Sequence, residues 1–119
     1  MITALLVALG AAVGAPLRYL TDRYVQARYG TGFPWGTLAV NVAGSFVLGL
    51  VLGLPLSHGL TALIGTGFCG ALTTYSTFSW EALTLARRGE RAKAFAYVLV
   101  SLLAGLGAAA LGAILAAAV

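Results

Sequence analysis

Charged residues are the scarcest feature of this sequence. Only 8% of its 119 residues are charged, comprising 7 lysines and arginines and 3 acidic residues. A soluble domain of this size needs a charged and mixed surface, which so few charges cannot provide. The hydrophobic fraction is 61%, and the apolar residues come in long blocks. The sequence therefore predicts an integral membrane protein and excludes a soluble domain.

Cysteine and histidine are almost absent as well. Cys69 is the single cysteine, so an intrachain disulfide is excluded. His58 is the single histidine, and the sequence contains no metal-ligand cluster, nucleophile–base pair or phosphate-binding loop. We therefore expect no enzyme chemistry, and no nucleic-acid-binding module is present.

Four apolar blocks are each long enough to cross a bilayer, whose core of ~30 Å takes roughly 20 helical residues. We predict one transmembrane domain over residues 1–119, with helices at about 2–20, 34–54, 60–86 and 94–118. The fold class predicted is therefore an all-α membrane protein of four transmembrane helices, surrounded by the lipid bilayer.

Six of the seven basic residues lie in two predicted loops. Residues 21–32 contain Arg23 and Arg28, and residues 87–93 contain three arginines and a lysine. These loops lie on the same side of the membrane, and the short opposite loop, residues 55–59, has no lysine or arginine. The positive-inside rule then predicts one main orientation, with both termini outside.

Polar residues within the second predicted helix recur every four residues, which places them on one helix face. Thr37 and Ser45 are interpreted as groups that hydrogen-bond to neighbouring helices. Asn41 lies near mid-membrane and has more donors than packing requires, so we predict a functional role for it.

The middle of the third predicted helix is a poor helix, because glycines are followed by clustered hydroxyl and aromatic residues. We predict a break near the bilayer midplane, at residues 70–74. Carbonyl oxygens exposed at such a break bind cations, and the N-termini of half-helices attract anions. Tyr75, Phe78 and Glu81 follow at spacings of three, which puts them on one face. Positive ring edges combined with hydroxyl donors suit a small anion that loses its water.

Small residues four apart allow helices to approach closely. Such pairs of small residues recur along the chain. Four thin helices also enclose little of a pathway by themselves. We therefore expect a homo-oligomer, and most simply a dimer. The pairs are Gly10 and Gly14, Gly49 and Gly53, and Ser101 and Gly105.

Three motifs carry a resemblance to a known family. They are Gly-Ala-Pro-Leu-Arg-Tyr at residues 14–19, Gly-Thr-Leu-Ala-Val-Asn-Val-Ala-Gly-Ser-Phe at 36–46, and Gly-Phe-Cys-Gly-Ala-Leu-Thr-Thr-Tyr-Ser-Thr-Phe-Ser-Trp-Glu at 67–81. In order and type they resemble the first-, second- and third-helix signatures of the Fluc (CrcB) fluoride channels. The resemblance spans nearly the whole chain.

The resemblance implies a channel that passively exports fluoride across the cell membrane and protects a microbial cell. It implies an antiparallel, dual-topology homodimer with two narrow pores. A structural sodium ion at the dimer interface would be held by the carbonyl oxygens of Gly70 and Thr73. The side chains expected along the fluoride path are Asn41, Tyr75, Phe78, Thr77, Ser101, Arg18 and Glu81.

The sequence departs from the family pattern in three ways. Tyr75 stands where the family usually has phenylalanine, which adds a hydroxyl donor beside the ring. Ala71 stands where glycine is usual, which stiffens the predicted break. The one-sided arginines and lysine favour a single orientation, whereas the family pattern implies two.

Two other functions fit a four-helix membrane protein. A small multidrug or cation exporter relies on an acid in its first helix, and residues 2–20 contain none. A non-transporting assembly subunit would explain the glycines but not the polar stripes.

Overall fold

The computed structural model describes residues 1–30 and 32–119, and its regular elements in that part are all helical. The helices are α1 (Ile2–Tyr29), α2 (Trp35–Gly53), α3 (58–72), α4 (Tyr75–Arg87) and α5 (Arg91–Ala117). Most of α3 is a wider π-helix over Thr61–Cys69, flanked by short α-helical pieces at His58–Leu60 and Gly70–Leu72.

Three of these helices are long and apolar enough to cross a membrane by themselves. They are α1, α2 and α5, with 28, 19 and 27 residues. The fourth crossing is divided between α3 and α4, which are joined by Thr73 and Thr74. The longest dimension of the chain is 47 Å, more than a hydrocarbon core of ~30 Å. The predicted all-helical membrane protein is confirmed, and its third predicted helix is interrupted inside the expected window at residues 70–74.

The first helix is longer than predicted. The polar loop expected at residues 21–32 is wrong over most of its length, because α1 continues to Tyr29. No glycine or proline interrupts this stretch, and side-chain bonds one turn apart support it: Gln26 Nε2 donates to Asp22 Oδ2 at 3.0 Å. The helix stops at Gly30, whose φ of 81° suits glycine. Thr31, in the same predicted loop, lies outside the described residues.

This extension brings an acid into the first helix. Asp22 was expected in a loop, and the argument against a cation exporter assumed a first helix without an acid. That assumption is wrong for α1 as folded. Asp22 is half-buried and lies in the last third of the helix.

Glycines hold α1 against α3. A Cβ added at Gly10 would overlap the Leu63 carbonyl oxygen and lie 2.7 Å from the Phe68 nitrogen. A Cβ at Gly14 would lie 2.5 Å from the Phe68 oxygen, and one at Gly67 would lie 2.5 Å from the Val7 oxygen. The two backbones are thus in direct contact, and only glycine allows this separation.

A second seam joins α2 to α5. A Cβ at Gly49 would overlap the Ala109 carbonyl oxygen, and one at Gly112 would overlap the Phe46 oxygen. Two of the small-residue pairs predicted from the sequence, Gly10 with Gly14 and Gly49 with Gly53, therefore pack helices of the same chain together. α2 also contacts α1 and α3 and so lies at the centre of the bundle.

Candidate functional site

The interruption between α3 and α4 is a short extended segment. Thr73 and Thr74 both have β-region backbone angles, with ψ of 160° and 123°. Thr73 Oγ1 donates to the Cys69 carbonyl oxygen at 2.9 Å, and Thr74 Oγ1 accepts from the Thr77 N–H at 3.2 Å. The first hydroxyl closes the end of α3, and the second is a side-chain N-cap of α4.

Asn41 on α2 fixes this segment from across the bundle. Its Oδ1 accepts from the Thr74 N–H at 2.8 Å, and its Nδ2 donates to the Thr74 carbonyl oxygen at 3.1 Å. One amide therefore satisfies both backbone groups of Thr74. The amide has a second N–H, which is free for another acceptor.

The other two polar residues of α2 differ from each other. Ser45 Oγ donates to the Asn41 carbonyl oxygen at 2.7 Å, so its bond stays within its own helix, and the predicted bond to a neighbouring helix is wrong. Thr37 is only 2% exposed and lies beside Glu81 on α4 and Tyr97 on α5. Its position agrees with the predicted contact between helices.

A cavity of about 570 Å³ lies against the interruption. It brings together four of the side chains predicted along a fluoride path and both residues predicted at a sodium ion. The lining residues are Asn41, Gly44, Ser45, Leu48, Gly65, Thr66, Cys69, Gly70, Thr73, Thr74, Tyr75, Phe78, Ser101, Leu102 and Gly105. We call this space the main cavity.

Ser101 and the aromatic rings supply donors to the main cavity. Ser101 Oγ is buried and has no hydrogen-bond partner among the described residues. The ring centroids of Tyr75 and Phe78 are 6.3 Å apart, and Tyr75 is 81% exposed in the single chain. The Ser101 hydroxyl is therefore available there without an internal partner, and both rings line the same space.

Glu81 and Thr77 lie elsewhere. They line a second cavity of about 270 Å³ at the end of the molecule that carries the basic residues, together with Gln26, Trp80 and Arg88. The shared face predicted for Glu81 and the two rings therefore opens into two different spaces.

Tyr97 is a candidate functional residue for which no role was predicted from the sequence. It is completely buried, its hydroxyl donates to Glu81 Oε1 at 3.3 Å, and its ring lies 5.1 Å from Phe78. It thus connects the wall of the main cavity with the acid of the second cavity. The available signal was its position one turn before Ser101 on α5.

Arg18 lies apart from these groups. It is half-buried on α1 and belongs to the lining of neither the main nor the second cavity. The helix that carries it packs mainly against α3.

The backbone of the interruption offers cation ligands. Among the described residues, neither the Gly70 nor the Thr73 carbonyl oxygen accepts a hydrogen bond. Both residues line the main cavity, and a Cβ at Gly70 would meet nothing within 4 Å. These two oxygens match the oxygen donors that hard cations take.

Residues 5–113 match the family model described as CrcB-like protein, Camphor Resistance (CrcB). The match covers the whole of the main cavity and every predicted site residue.

Several bacterial proteins are similar over almost their full length. A Frankia casuarinae protein named fluoride-specific ion channel FluC 1 is 58% identical, over 97% of this chain and 96% of its own length. A Streptomyces avermitilis protein of the same name is 56% identical, over 91% and 90%. A Rhodococcus jostii protein named fluoride-specific ion channel FluC 2 is 54% identical, over 92% and 95%.

Proposed function

The chain belongs to the CrcB family, and from this membership we propose that it is a fluoride-selective channel that lets fluoride leave the cell passively. The family predicted from the three motifs is confirmed. The relatives are named as ion channels, so the protein is a transporter and not an enzyme. The observation that carries the proposal is the agreement between these names and a main cavity lined by uncharged donors.

The chemistry of the main cavity suits fluoride. Fluoride is small and strongly hydrated, so a pore must replace its water with several donors. The free N–H of Asn41, the unpartnered hydroxyl of Ser101 and the ring edges of Tyr75 and Phe78 can do so. The lining described above includes no lysine, arginine or histidine. Conduction requires such weak, multiple sites, because one fixed positive charge would hold the ion too tightly.

The second cavity continues the proposed path toward the basic end. Thr77 lies one residue before Phe78 and supplies a hydroxyl, and Glu81 lies one turn further along α4. Tyr97 joins the two cavities through its contacts with Phe78 and Glu81. Arg18 enters the proposal only through the resemblance, since it lines neither cavity.

A homodimer is supported by the polarity of the main cavity. Asn41, Ser101 and the Gly70 and Thr73 carbonyl groups reach a cavity that opens at the surface of the single chain. Polar groups facing lipid cost several kcal/mol each, on the order expected for unsatisfied groups in hydrocarbon. A second copy would cover them, and an antiparallel arrangement would give two equivalent paths in the cell membrane. The one-sided basic residues oppose this dual topology, so orientation needs its own measurement.

A structural sodium ion is supported by the free carbonyl oxygens of Gly70 and Thr73. Two such pairs, one from each copy, would give an oxygen-only site without any carboxylate. When bound, the ion would supply a fixed charge that holds the two interruptions together. Replacing sodium by a large organic cation during purification should then weaken the dimer.

The rival function is a cation exporter, which Asp22 in α1 brings back into consideration. The relatives named as fluoride channels argue against it, as does the scarcity of acids around the main cavity. Efflux of fluoride and of an organic cation separates the two functions.

The test is ion efflux from liposomes that contain the purified protein. Vesicles loaded with potassium fluoride or potassium chloride receive a potassium ionophore, which removes the opposing voltage. We expect rapid loss of fluoride and no loss of chloride, and vesicles without protein are the control. Retention of fluoride by vesicles with well-folded protein would overturn the proposal.

A further inference from the structure

Asp22 is pressed against the first turn of α2. A Cβ added at Gly36 would overlap Asp22 Oδ1 and lie 2.8 Å from the Asp22 Cα. Asp22 Oδ2 accepts from Gln26 Nε2 at 3.0 Å. Asp22 Oδ1 is buried and has no hydrogen-bond partner among the described residues. This carboxylate oxygen therefore lies against the start of α2, and no hydrogen-bond donor among the described residues accounts for its burial.

The start of α2 lacks a negative charge of its own. The helix begins at Trp35, the preceding Pro34 gives no side-chain cap, and the first turn contains no acid. A helix N-terminus carries a partial positive charge, which a nearby carboxylate stabilises. Asp22 supplies this charge from α1, since its free oxygen lies over Gly36.

The same turn of α2 carries Thr37, which lines neither cavity but lies beside Glu81, a residue of the second cavity. Thr37 follows Gly36 directly, is 2% exposed, and lies beside Glu81 and Tyr97. Asp22 is close enough to act electrostatically on both of these residues. A shift of the α2 start would therefore move Thr37 relative to the acid and the tyrosine that border the proposed path.

We propose that Asp22 is a positioning residue that holds the first turn of α2 in place and, through Thr37, sets the width and polarity of the fluoride path at its basic end. The inference rests on the proposed function and assigns it a residue outside the three motifs. Asp22 touches α2 and does not line the main or the second cavity.

Two roles for Asp22 predict opposite changes in flux. If its charge merely repels fluoride, neutralising it speeds efflux. If it positions Thr37, neutralising it slows efflux, because the α2 start loses its electrostatic partner. Asp22→Asn separates the two roles, since it removes the charge and keeps the shape and an oxygen for Gln26.

The experiment measures fluoride efflux per reconstituted protein for Asp22→Asn, Thr37→Val and the double variant. We expect Asp22→Asn to slow efflux about two- to tenfold, in keeping with the loss of a charge at a helix N-terminus. Efflux of the double variant should equal that of Thr37→Val, because residues that act through one contact are not additive. Glu90→Gln is the matched control: it removes an acid at the same end whose partner is the exposed Lys93, and it should leave efflux unchanged.

A second readout is hydrogen–deuterium exchange of the peptide that contains residues 35–38. Asp22→Asn should speed its exchange, and Glu90→Gln should not. Faster efflux, unchanged efflux, or additive losses in the double variant would each overturn the inference. If the unmodified protein passed no fluoride, the proposed function would fail, whereas the exchange measurement would still decide whether Asp22 holds the start of α2.

Discussion

Two of the contacts between helices in this chain are built on different principles. Between α1 and α3 the contact is backbone against backbone, made possible by Gly10, Gly14 and Gly67. Between α2 and the interruption before α4 the contact is a polar side chain against backbone, made by Asn41 on Thr74. The first contact contains no chemistry that an ion can use, and the second lines the main cavity.

The α1–α3 contact supports the fold, whereas the Asn41–Thr74 contact also belongs to the proposed ion path. A backbone seam has no rotamers to adjust, so it fixes helix positions and tolerates no added atom. The amide of Asn41 keeps one donor free while it holds the interruption, so it serves structure and ion at once. Substitutions in the seam should therefore lower stability first, and substitutions around the cavity should change flux first.

The largest effect is expected at Gly10. Gly10→Ala places a Cβ against the Leu63 and Phe68 backbones, which cannot yield as a flexible side chain would. Overpacking of this kind costs about 1–3 kcal/mol or more. We expect loss of monodisperse protein in detergent and a lower unfolding temperature.

Gly107→Ala is the control for this variant. A Cβ at Gly107 meets nothing within 4 Å in the chain, and alanine favours a helix over glycine by about 1 kcal/mol. It should be neutral or stabilising within the single chain. Equal losses of stability for both variants would show that the α1–α3 seam does not require glycine at position 10.

The next largest effect is expected for Asn41→Ala. It leaves the Thr74 N–H and carbonyl group unpaired, at a cost of about 1–3 kcal/mol each. Because about 1.4 kcal/mol corresponds to tenfold, fluoride efflux by the protein that remains folded should fall at least about tenfold. Ser76→Ala, an exposed hydroxyl beside the same interruption, serves as the control in efflux and thermal unfolding. Normal flux in Asn41→Ala would remove Asn41 from the proposed path.

Phe78→Ile should slow fluoride efflux while the protein remains folded. The substitution keeps an apolar side chain but removes the ring edge that faces the main cavity and the contact with Tyr97 at 5.1 Å. Phe95→Ile is the matched control, because Phe95 is 71% exposed and lines neither cavity. Equal rates for the two variants would show that the ring has no special role.

Tyr75→Phe should have the smallest effect. It removes one hydroxyl and keeps the ring, and a neutral hydrogen bond contributes about 0.5–1.5 kcal/mol. The half-saturating fluoride concentration should rise about two- to tenfold, with little change in maximal rate. Tyr29→Phe, at the exposed end of α1, controls for the loss of a tyrosine hydroxyl. An unchanged concentration dependence would mean that the Tyr75 hydroxyl does not reach the ion.

The sequence predicted the crossings and the interruption well, because both depend on local composition. Long apolar blocks indicate segments that cross the bilayer. Glycine followed by threonines at residues 70–74 indicates a helix that is interrupted there. The predicted end of the first helix was wrong because it too was taken from local composition. Apolarity reports burial in lipid, whereas a helix ends where the backbone needs glycine, here at Gly30.

What could not be predicted depends on partners far apart in the sequence. The spacing of Thr37, Asn41 and Ser45 gave a common face but not which groups they meet. Ser45 turned back on its own helix, and Asn41 bonded to Thr74, 33 residues away. The wider π-helix of Thr61–Cys69 likewise has no signature in the sequence that we could identify.

The bond between Asn41 and Thr74 also constrains the order of biosynthesis. α2 leaves the ribosome before α3 and α4, so Asn41 has no partner until Thr74, 33 positions further along the chain, has also emerged. An amide without a partner in hydrocarbon is costly, on the order of several kcal/mol. It follows that α2 gains from entering the bilayer together with the helices that follow it. A ribosome stalled before residue 74 should therefore leave α2 more readily extracted than one stalled after α4.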